Sequence, residues 1–282
     1  MKTVAAGHTF ASAPFSWLPL VLVLAFAGPT ASRAETTPWA SNEGGRMRLI
    51  ALPPASDGTV RGALQIEPKP GWITYWREPG DAGIPPQLML PEEAGVSLKR
   101  LAYPVPKRIT SGDLRDIGYD HPVTLPFELK VEDGSKALDV GVSAFVGLCR
   151  NICIPFQATF ALELGDAQQS MEEAMLLASA ETQLPESPSD DFAVTGHALT
   201  DDNMLQLELR LPPEAAGAPQ VIVTGPEGHA FLDSTDVKKN GRHYSLEIPI
   251  EKLPPDYEVS GKTWSVLVIA GNRAMETSLA FE

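Results

Sequence analysis

The segment Val123–Val131 reads VTLPFELKV, and its alternation of apolar and polar residues decides the fold class. An apolar residue occupies every second position, which is typical of a β-strand that buries one face. The same alternation recurs along the chain, at residues 64–67, 138–146, 156–164, 205–211 and 244–250. Turn residues such as Asp57 and Gly58 separate these segments. Short strands with frequent turns predict an all-β protein built from antiparallel sandwiches.

One segment departs from this two-residue period. Its apolar residues follow helical spacing at four positions: Met171, Ala174, Met175 and Ala178. Ser170 and Glu173 form the pattern of a capping box, so we predict one short helix between positions 166 and 181. The stretch Leu184–Asp190 follows it and is rich in proline and small polar residues, which predicts a linker.

These patterns predict four segments along the chain. Residues 1–34 are a signal peptide, residues 35–165 a first β-sandwich, residues 166–190 a short helix with its linker, and residues 191–282 a second, smaller β-sandwich. Both cysteines fall in the first sandwich. We therefore expect the chemistry of the protein there.

The amino terminus indicates export. Lys2 precedes the uncharged run Trp17–Ala27, which is about half the roughly 20 residues that a membrane-spanning helix needs. Small residues at Ser32 and Ala34 suit the positions that a signal peptidase recognises, so we expect cleavage between Ala34 and Glu35. A buried core helix is the alternative, but its flanks offer no cap. The mature protein is expected to be exported and not embedded in a membrane.

The charge of the chain argues against two classes of partner. Lysine and arginine number 22 against 36 aspartates and glutamates, which gives a net charge of -14 at pH 7. An acidic protein is repelled by phosphate backbones and by anionic lipid surfaces. We therefore predict no nucleic-acid partner.

The two cysteines, Cys149 and Cys153, lie in the segment GLCRNICIP, residues 147–155, between two apolar strands. An exported protein meets an oxidising compartment, so a disulfide is expected. Three intervening residues can bring the Cα atoms within the roughly 4.4–6.8 Å that a disulfide requires. Such a small ring stabilises the fold by only about 2 kcal/mol. From spacing alone, a redox pair and a plain structural bridge both remain open.

Metal binding competes for the same two cysteines. Two thiolates alone do not complete a zinc site, and the histidines of the mature chain show no paired spacing: His121, His197, His229 and His243. A thiolate pair suits Cu(I), with help from Met47 or Met89, although both methionines are predicted to lie in the core. We predict no metal site and no cofactor.

A second informative stretch is Gly71–Pro86, which reads GWITYWREPGDAGIPP. It holds three aromatic residues: Trp72, Tyr75 and Trp76. These rings, with Arg77 and Asp81, could form a ligand surface, and exposed rings would also suit carbohydrate. The alternative is that the rings fill the sandwich core, which we favour for Trp72.

Three blocks of sequence together resemble a known family. They are GWITYWREPGDAGIPP, the Gly118-Tyr119-Asp120 block that leads into Val123–Pro126, and LCRNICIP. Over residues 45–165 they are similar to the periplasmic N-terminal domain of thiol:disulfide interchange proteins of the DsbD and ScsB type. The resemblance implies an immunoglobulin-like sandwich whose cysteine pair cycles between dithiol and disulfide.

The resemblance also implies a site and partners. Cys149 and Cys153 would be the catalytic pair, with Cys153 entering a mixed disulfide and Cys149 resolving it. We place partner binding on four residues around this pair: Trp76, Arg77, Asp81 and Tyr119. The location would be the periplasm, and the partners would be a separately encoded membrane electron donor and a periplasmic thiol protein.

The chain also departs from the family pattern. Its cysteine spacing is shorter than in the better-known DsbD domains, and the segment Pro106–Asp116 lacks the aromatic residue of their cap loop. We find no sequence for a transmembrane or thioredoxin-like domain, which is why the donor is expected to be separate. The alternative function is a binding module for copper, with a role in copper tolerance, or for a protein, with a disulfide that does not cycle.

Overall fold

The computed structural model describes residues 1–3, 36–80, 83–111, 114–132, 138–164, 170–200, 202–225, 230–232, 234–250 and 257–281. Nearly all of the predicted signal peptide lies outside these residues, and so does Asp81. No helix among the described residues is long and apolar enough to cross a membrane.

In the described residues of the first half of the chain, eleven strands form three antiparallel sheets. The strands are β1 (Ala40–Ser41), β2 (Gly45–Ala51), β3 (Thr59–Pro68), β4 (Thr74–Gly80), β5 (Gln87–Met89), β6 (Val96–Leu101), β7 (Lys107–Ser111), β8 (Leu114–Tyr119), β9 (Val123–Val131), β10 (Leu138–Cys149) and β11 (Cys153–Leu164). A short 3₁₀ helix covers Glu92–Ala94. The sheets have the orders β1-β2-β3-β9-β6, β11-β10-β5 and β4-β8-β7.

The second half forms a smaller sandwich of two four-stranded sheets, which we call the C-terminal sandwich. Its strands are β12 (Ala193–Leu199), β13 (Met204–Arg210), β14 (Gln220–Thr224), β15 (Ala230–Phe231), β16 (Thr235–Asn240), β17 (His243–Pro249), β18 (Thr263–Ala270) and β19 (Arg273–Ala280). The sheet orders are β12-β13-β17-β16 and β15-β14-β18-β19. Their inner faces share one apolar core around Trp264.

The strand predictions agree with these elements because alternation reports burial directly. β9 covers the quoted segment Val123–Val131 and buries Val123, Leu125, Phe127, Leu129 and Val131. The prediction of an all-β fold is confirmed. Since side chains of a strand point alternately to its two faces, one buried face leaves this period in the sequence.

The predicted helix is α1 (Met171–Glu181), and the Ser170 side chain accepts a hydrogen bond from the Glu173 amide at its amino end. The capping box is only half used, because the buried Glu173 carboxylate accepts a hydrogen bond from Thr36 instead. Glu173 therefore ties the helix to the start of the described chain at Thr36.

The two halves are in contact. Residues 33–282 form one compact unit, in which Ile222 and Leu267 of the C-terminal sandwich share a core cluster with the first half. In the predicted linker, Glu186 pairs with Met275 as an isolated β-bridge, and Arg273 forms an ion pair with the Glu186 carboxylate. The linker is thus bound to β19. The domain boundary near residue 190 stays a prediction.

Candidate functional site

The cysteine pair lies at the end of the long hairpin formed by β10 and β11. Cys149 is the last residue of β10, Cys153 is the first of β11, and the two are directly opposite each other in the register. They form a disulfide, with their Cα atoms 4.1 Å apart. The hairpin tip, residues 150–152, is closed by a hydrogen bond from the Arg150 amide to the Ile152 carbonyl.

The main chain of Cys149 explains this short separation. Its amide donates to the Ile73 carbonyl (3.0 Å) and its carbonyl accepts from the Ile73 amide (2.8 Å), so both groups point away from Cys153. Cys149 and Cys153 are therefore a non-hydrogen-bonded cross-strand pair, the kind in which Cα atoms approach to about 4.5 Å. The separation lies slightly below the range expected from sequence.

The two sulfur-bearing residues differ in their access to solvent. Cys149 is buried, with 5% of its surface exposed, whereas Cys153 is exposed. Ile152 beside it is 69% exposed, which is unusual for a large apolar side chain. A thiolate arriving from a partner protein would therefore meet Cys153 first.

A buried tyrosine and a buried aspartate complete the site. The Tyr75 hydroxyl oxygen lies 3.5 Å from the Cys153 sulfur. Burial together with the charge of the neighbouring Asp116 carboxylate raises the pKa of Tyr75 well above its usual value, so the Tyr75 hydroxyl lies close to both the Cys153 sulfur and Asp116.

From the sequence, Asp116 has no predicted role in the site, and Tyr75 is left open between a ligand surface and the sandwich core. Tyr75 is buried. Asp116 was read as the end of a loop, but it lies inside β8 with only 5% of its surface exposed. The signal that could have found it is its residue type, because aspartate is depleted in strands.

The predicted binding residues lie in varied surroundings. Trp76 is fully buried, and the Tyr119 hydroxyl, also buried, donates to the Pro104 carbonyl at 2.8 Å. The Arg77 guanidinium stacks on the Trp76 ring at 3.9 Å and forms an ion pair with Glu276 of the C-terminal sandwich. Their role in partner binding stays a prediction. Trp72 is buried as expected.

The methionines offered as copper ligands do not gather at the cysteines. Met47 is fully buried in the core, as predicted, but Met89 is 42% exposed, so its assignment to the core was wrong. Met89 lies on edge strand β5 opposite Ser143, six positions along β10 from Cys149. At about 3.4 Å per residue, that is roughly 20 Å away. Among the described residues, no three of His, Cys, Asp and Glu cluster as a metal site.

Comparisons with known proteins identify a family that part of the chain resembles. Residues 47–164 match the family model of the N-terminal domain of the thiol:disulfide interchange protein DsbD. The crystal structure of the N-terminal periplasmic domain of ScsB from Proteus mirabilis matches with a TM-score of 0.74 and 21% identity. That match covers 89% of this chain and 100% of that chain, so it extends into the C-terminal sandwich. No curated protein matches the chain.

The resemblance predicted from three sequence blocks is therefore confirmed over residues 47–164. This family has an immunoglobulin-like β fold, and the expected fold class is confirmed with it.

Proposed function

We propose that the protein is an exported thiol:disulfide interchange protein that exchanges electrons with periplasmic partners through Cys149 and Cys153. The observation that carries the proposal is the asymmetry of the disulfide, with Cys153 exposed at the hairpin tip and Cys149 buried behind it. Exchange requires one sulfur that a partner can reach and one that only its neighbour can reach. The family match of residues 47–164 supports the same chemistry.

The proposed reaction proceeds in two displacements. A partner thiolate attacks the Cys153 sulfur, a mixed disulfide forms, and Cys149 leaves as a thiolate that takes up a proton. A second thiolate of the partner then attacks the partner sulfur that is bonded to Cys153. This forms the partner's disulfide and releases Cys153. Two electrons have then passed to this chain, and the partner holds a disulfide. The reverse sequence reduces a partner disulfide.

We propose that Tyr75 and Asp116 control whether reduced Cys153 is a thiol or a thiolate. With the Asp116 carboxylate nearby as an acceptor for its own proton, the Tyr75 hydroxyl would accept a hydrogen bond from a reduced Cys153 thiol through its oxygen. The buried carboxylate, with its negative charge, disfavours a second negative charge on the nearby sulfur. Tyr75 and Asp116 would thus keep reduced Cys153 protonated until its proton is transferred.

The proposal extends to location and organisation. Residues 1–34 would be removed on export to the periplasm, residues 35–165 would carry the redox site, and residues 191–282 would form a second domain. Electrons would come from a separately encoded membrane donor and be exchanged with a periplasmic thiol protein. A copper-binding module is the less favoured function, since Met89 lies far from the cysteines.

The proposal is tested by a redox titration. We expect the Cys149–Cys153 bond in the full mature chain to be half reduced at a potential above about -300 mV, where structural disulfides resist reduction. Mass spectrometry after alkylation in a series of glutathione and thioredoxin buffers measures the reduced fraction. A chain with both cysteines replaced by serine is the control for labelling elsewhere. A bond that stays closed below this potential would identify a structural bridge.

A second prediction concerns Asp116→Asn. Removing the carboxylate charge is expected to favour thiolate on reduced Cys153, so alkylation at pH 7 should be about five- to tenfold faster. The measurement is the pH profile of the alkylation rate in chemically reduced protein. Asp120→Asn is the matched control, because Asp120 directly follows β8, is exposed and pairs with Lys107. Equal profiles for Asp116→Asn and the unsubstituted chain would remove Asp116 from the site.

A further inference from the structure

Strand β4 connects the cysteine pair to the C-terminal sandwich within five residues. Ile73, which precedes the strand, holds Cys149 by two main-chain hydrogen bonds. Tyr75 places its hydroxyl at the Cys153 sulfur. Arg77 reaches Glu276 on β19. A displacement of β4 at its Arg77 end would therefore move the residues that contact both cysteines.

The Arg77 end of β4 is held weakly by its own sheet. Tyr75 pairs with Gly118 of β8, but the next pair joins Gly80 to Asp116, so residues 76–79 bulge out of the ladder opposite a single residue. A bulge loses ladder hydrogen bonds, and side-chain contacts must hold its position. Here the buried Trp76 ring and the Arg77 guanidinium stacked on it fill that role.

The contacts that hold Arg77 come from the C-terminal sandwich. Its guanidinium donates to both oxygens of the Glu276 carboxylate and to the Ser265 hydroxyl, and Ser265 in turn donates to Glu276 at 2.6 Å. The side chains of Arg77 and Glu276 are each 27% exposed, so solvent screens the pair only in part.

The same sheet is attached to the C-terminal sandwich at a second point. Arg108 of β7 donates to the Val221 carbonyl of β14. Ile222 and Leu267, from the neighbouring positions of β14 and β18, join the core of the first half. The sheet β4-β8-β7, which carries both Tyr75 and Asp116, thus lies against the sheet β15-β14-β18-β19.

We propose that the C-terminal sandwich sets the reactivity of Cys153 through β4, with Arg77 and Glu276 as positioning residues. This inference rests on the interchange function proposed above. The ion pair of Arg77 and Glu276 fixes the position of the bulge in β4. The bulge in turn keeps Tyr75 between Asp116 and the Cys153 sulfur, and this arrangement sets how readily reduced Cys153 loses its proton. Among the described residues, the charged and titratable groups near this path include Arg77 and Glu276, Glu78 and Tyr103 near Arg77, Asp116 near Tyr75, and Arg150 at the hairpin tip.

Glu276→Gln in the full chain tests the inference, because it keeps the shape of the side chain and removes its charge. With Tyr75 held less firmly to Asp116, we expect alkylation of chemically reduced Cys153 at pH 7 to become about two- to fourfold faster, with the pH profile moved in the direction of Asp116→Asn. Glu276→Asp, which keeps the charge, should restore most of the original profile.

Two comparisons distinguish a positioning role of Glu276 from a general loosening of the fold. Glu186→Gln breaks another ion pair with β19, that of Arg273, whose carboxylate partners Glu186, Asp191 and Glu214 all lie outside β4, and it should leave the profile unchanged. The effect of Glu276→Gln should also disappear in an Asp116→Asn background, since coupled residues are not additive. If Glu276→Gln does not fold, Ser265→Ala removes one of the Arg77 contacts and should move the profile in the same direction.

The inference is overturned if Glu276→Gln or Ser265→Ala leaves the profile of the folded chain unchanged, or if Glu186→Gln moves it equally. The ion pair would then be a structural contact only. The assay uses chemically reduced protein, so it gives this answer even if the redox titration shows that the cysteines do not exchange with glutathione or thioredoxin. The titration alone decides the proposed function.

Discussion

Cys149→Ser is expected to leave much of the chain joined to a redox partner by a disulfide through Cys153. When the chain reduces a partner disulfide, Cys153 forms the mixed disulfide and Cys149 must then attack Cys153 to release the partner, which serine cannot do. Because Cys153 is exposed, formation of the mixed disulfide should be unaffected. Non-reducing gels of periplasmic extract from cells that express the variant should show a heavier band that disappears with reductant. Mass spectrometry of this band identifies the partner.

Cys153→Ser is the matched control. It leaves one thiol, Cys149, of which only 5% is exposed, so few adducts are expected. Adducts with this variant alone would reverse the roles of the two cysteines. Absence of adducts with both variants, together with a disulfide that is never reduced, would favour the binding module.

Gly118→Ala is expected to lower the free energy of unfolding by about 3 kcal/mol, the upper range for an overpacked core. Gly118 lies on β8 opposite Tyr75, and a Cβ atom there would be 2.1 Å from the Thr74 carbonyl oxygen and 3.0 Å from the Tyr75 Cα. Since main-chain atoms cannot rotate away, β4 and β8 would have to separate. The midpoint of unfolding in guanidinium chloride measures the loss.

The control for this substitution is Gly141→Ala on β10, where the new Cβ would meet only the Thr159 methyl group at an ordinary 3.8 Å. We expect its unfolding midpoint to stay close to that of the original chain. If Gly118→Ala also unfolds at the original midpoint, the close approach of β4 and β8 at Tyr75 is incorrect.

Local patterns predicted the strands and the cysteine pair well, for a simple reason. The alternation in Val123–Val131 and the helical spacing around Met171 record which face of each element is buried. The spacing of Cys149 and Cys153 likewise concerns a single hairpin. Features that depend only on residues close together along the chain can therefore be predicted from the sequence.

Contacts between distant segments were not predictable in this way. Arg77 was predicted to bind a partner, a role that stays a prediction, but its ion pair with Glu276, 199 residues further along the chain, could not be foreseen from local sequence. Met89 has an apolar side chain, but its place on a short edge strand leaves it exposed. For Tyr75 the sequence left a ligand surface and the core both open, because its neighbours Cys153 and Asp116 lie on other strands, β11 and β8.

The sequence by itself therefore determined the all-β class, the places of the strands with clear alternation, the family resemblance and the two residues expected to carry the redox chemistry. Only the tertiary structure decided that Cys153 is exposed while Cys149 is buried, that Tyr75 stands between Cys153 and Asp116, and that β4 extends to the C-terminal sandwich. The physical reason is that periodicity reports the burial of each residue along its own element. Access to a sulfur and the charges around it depend on which strands the fold brings together.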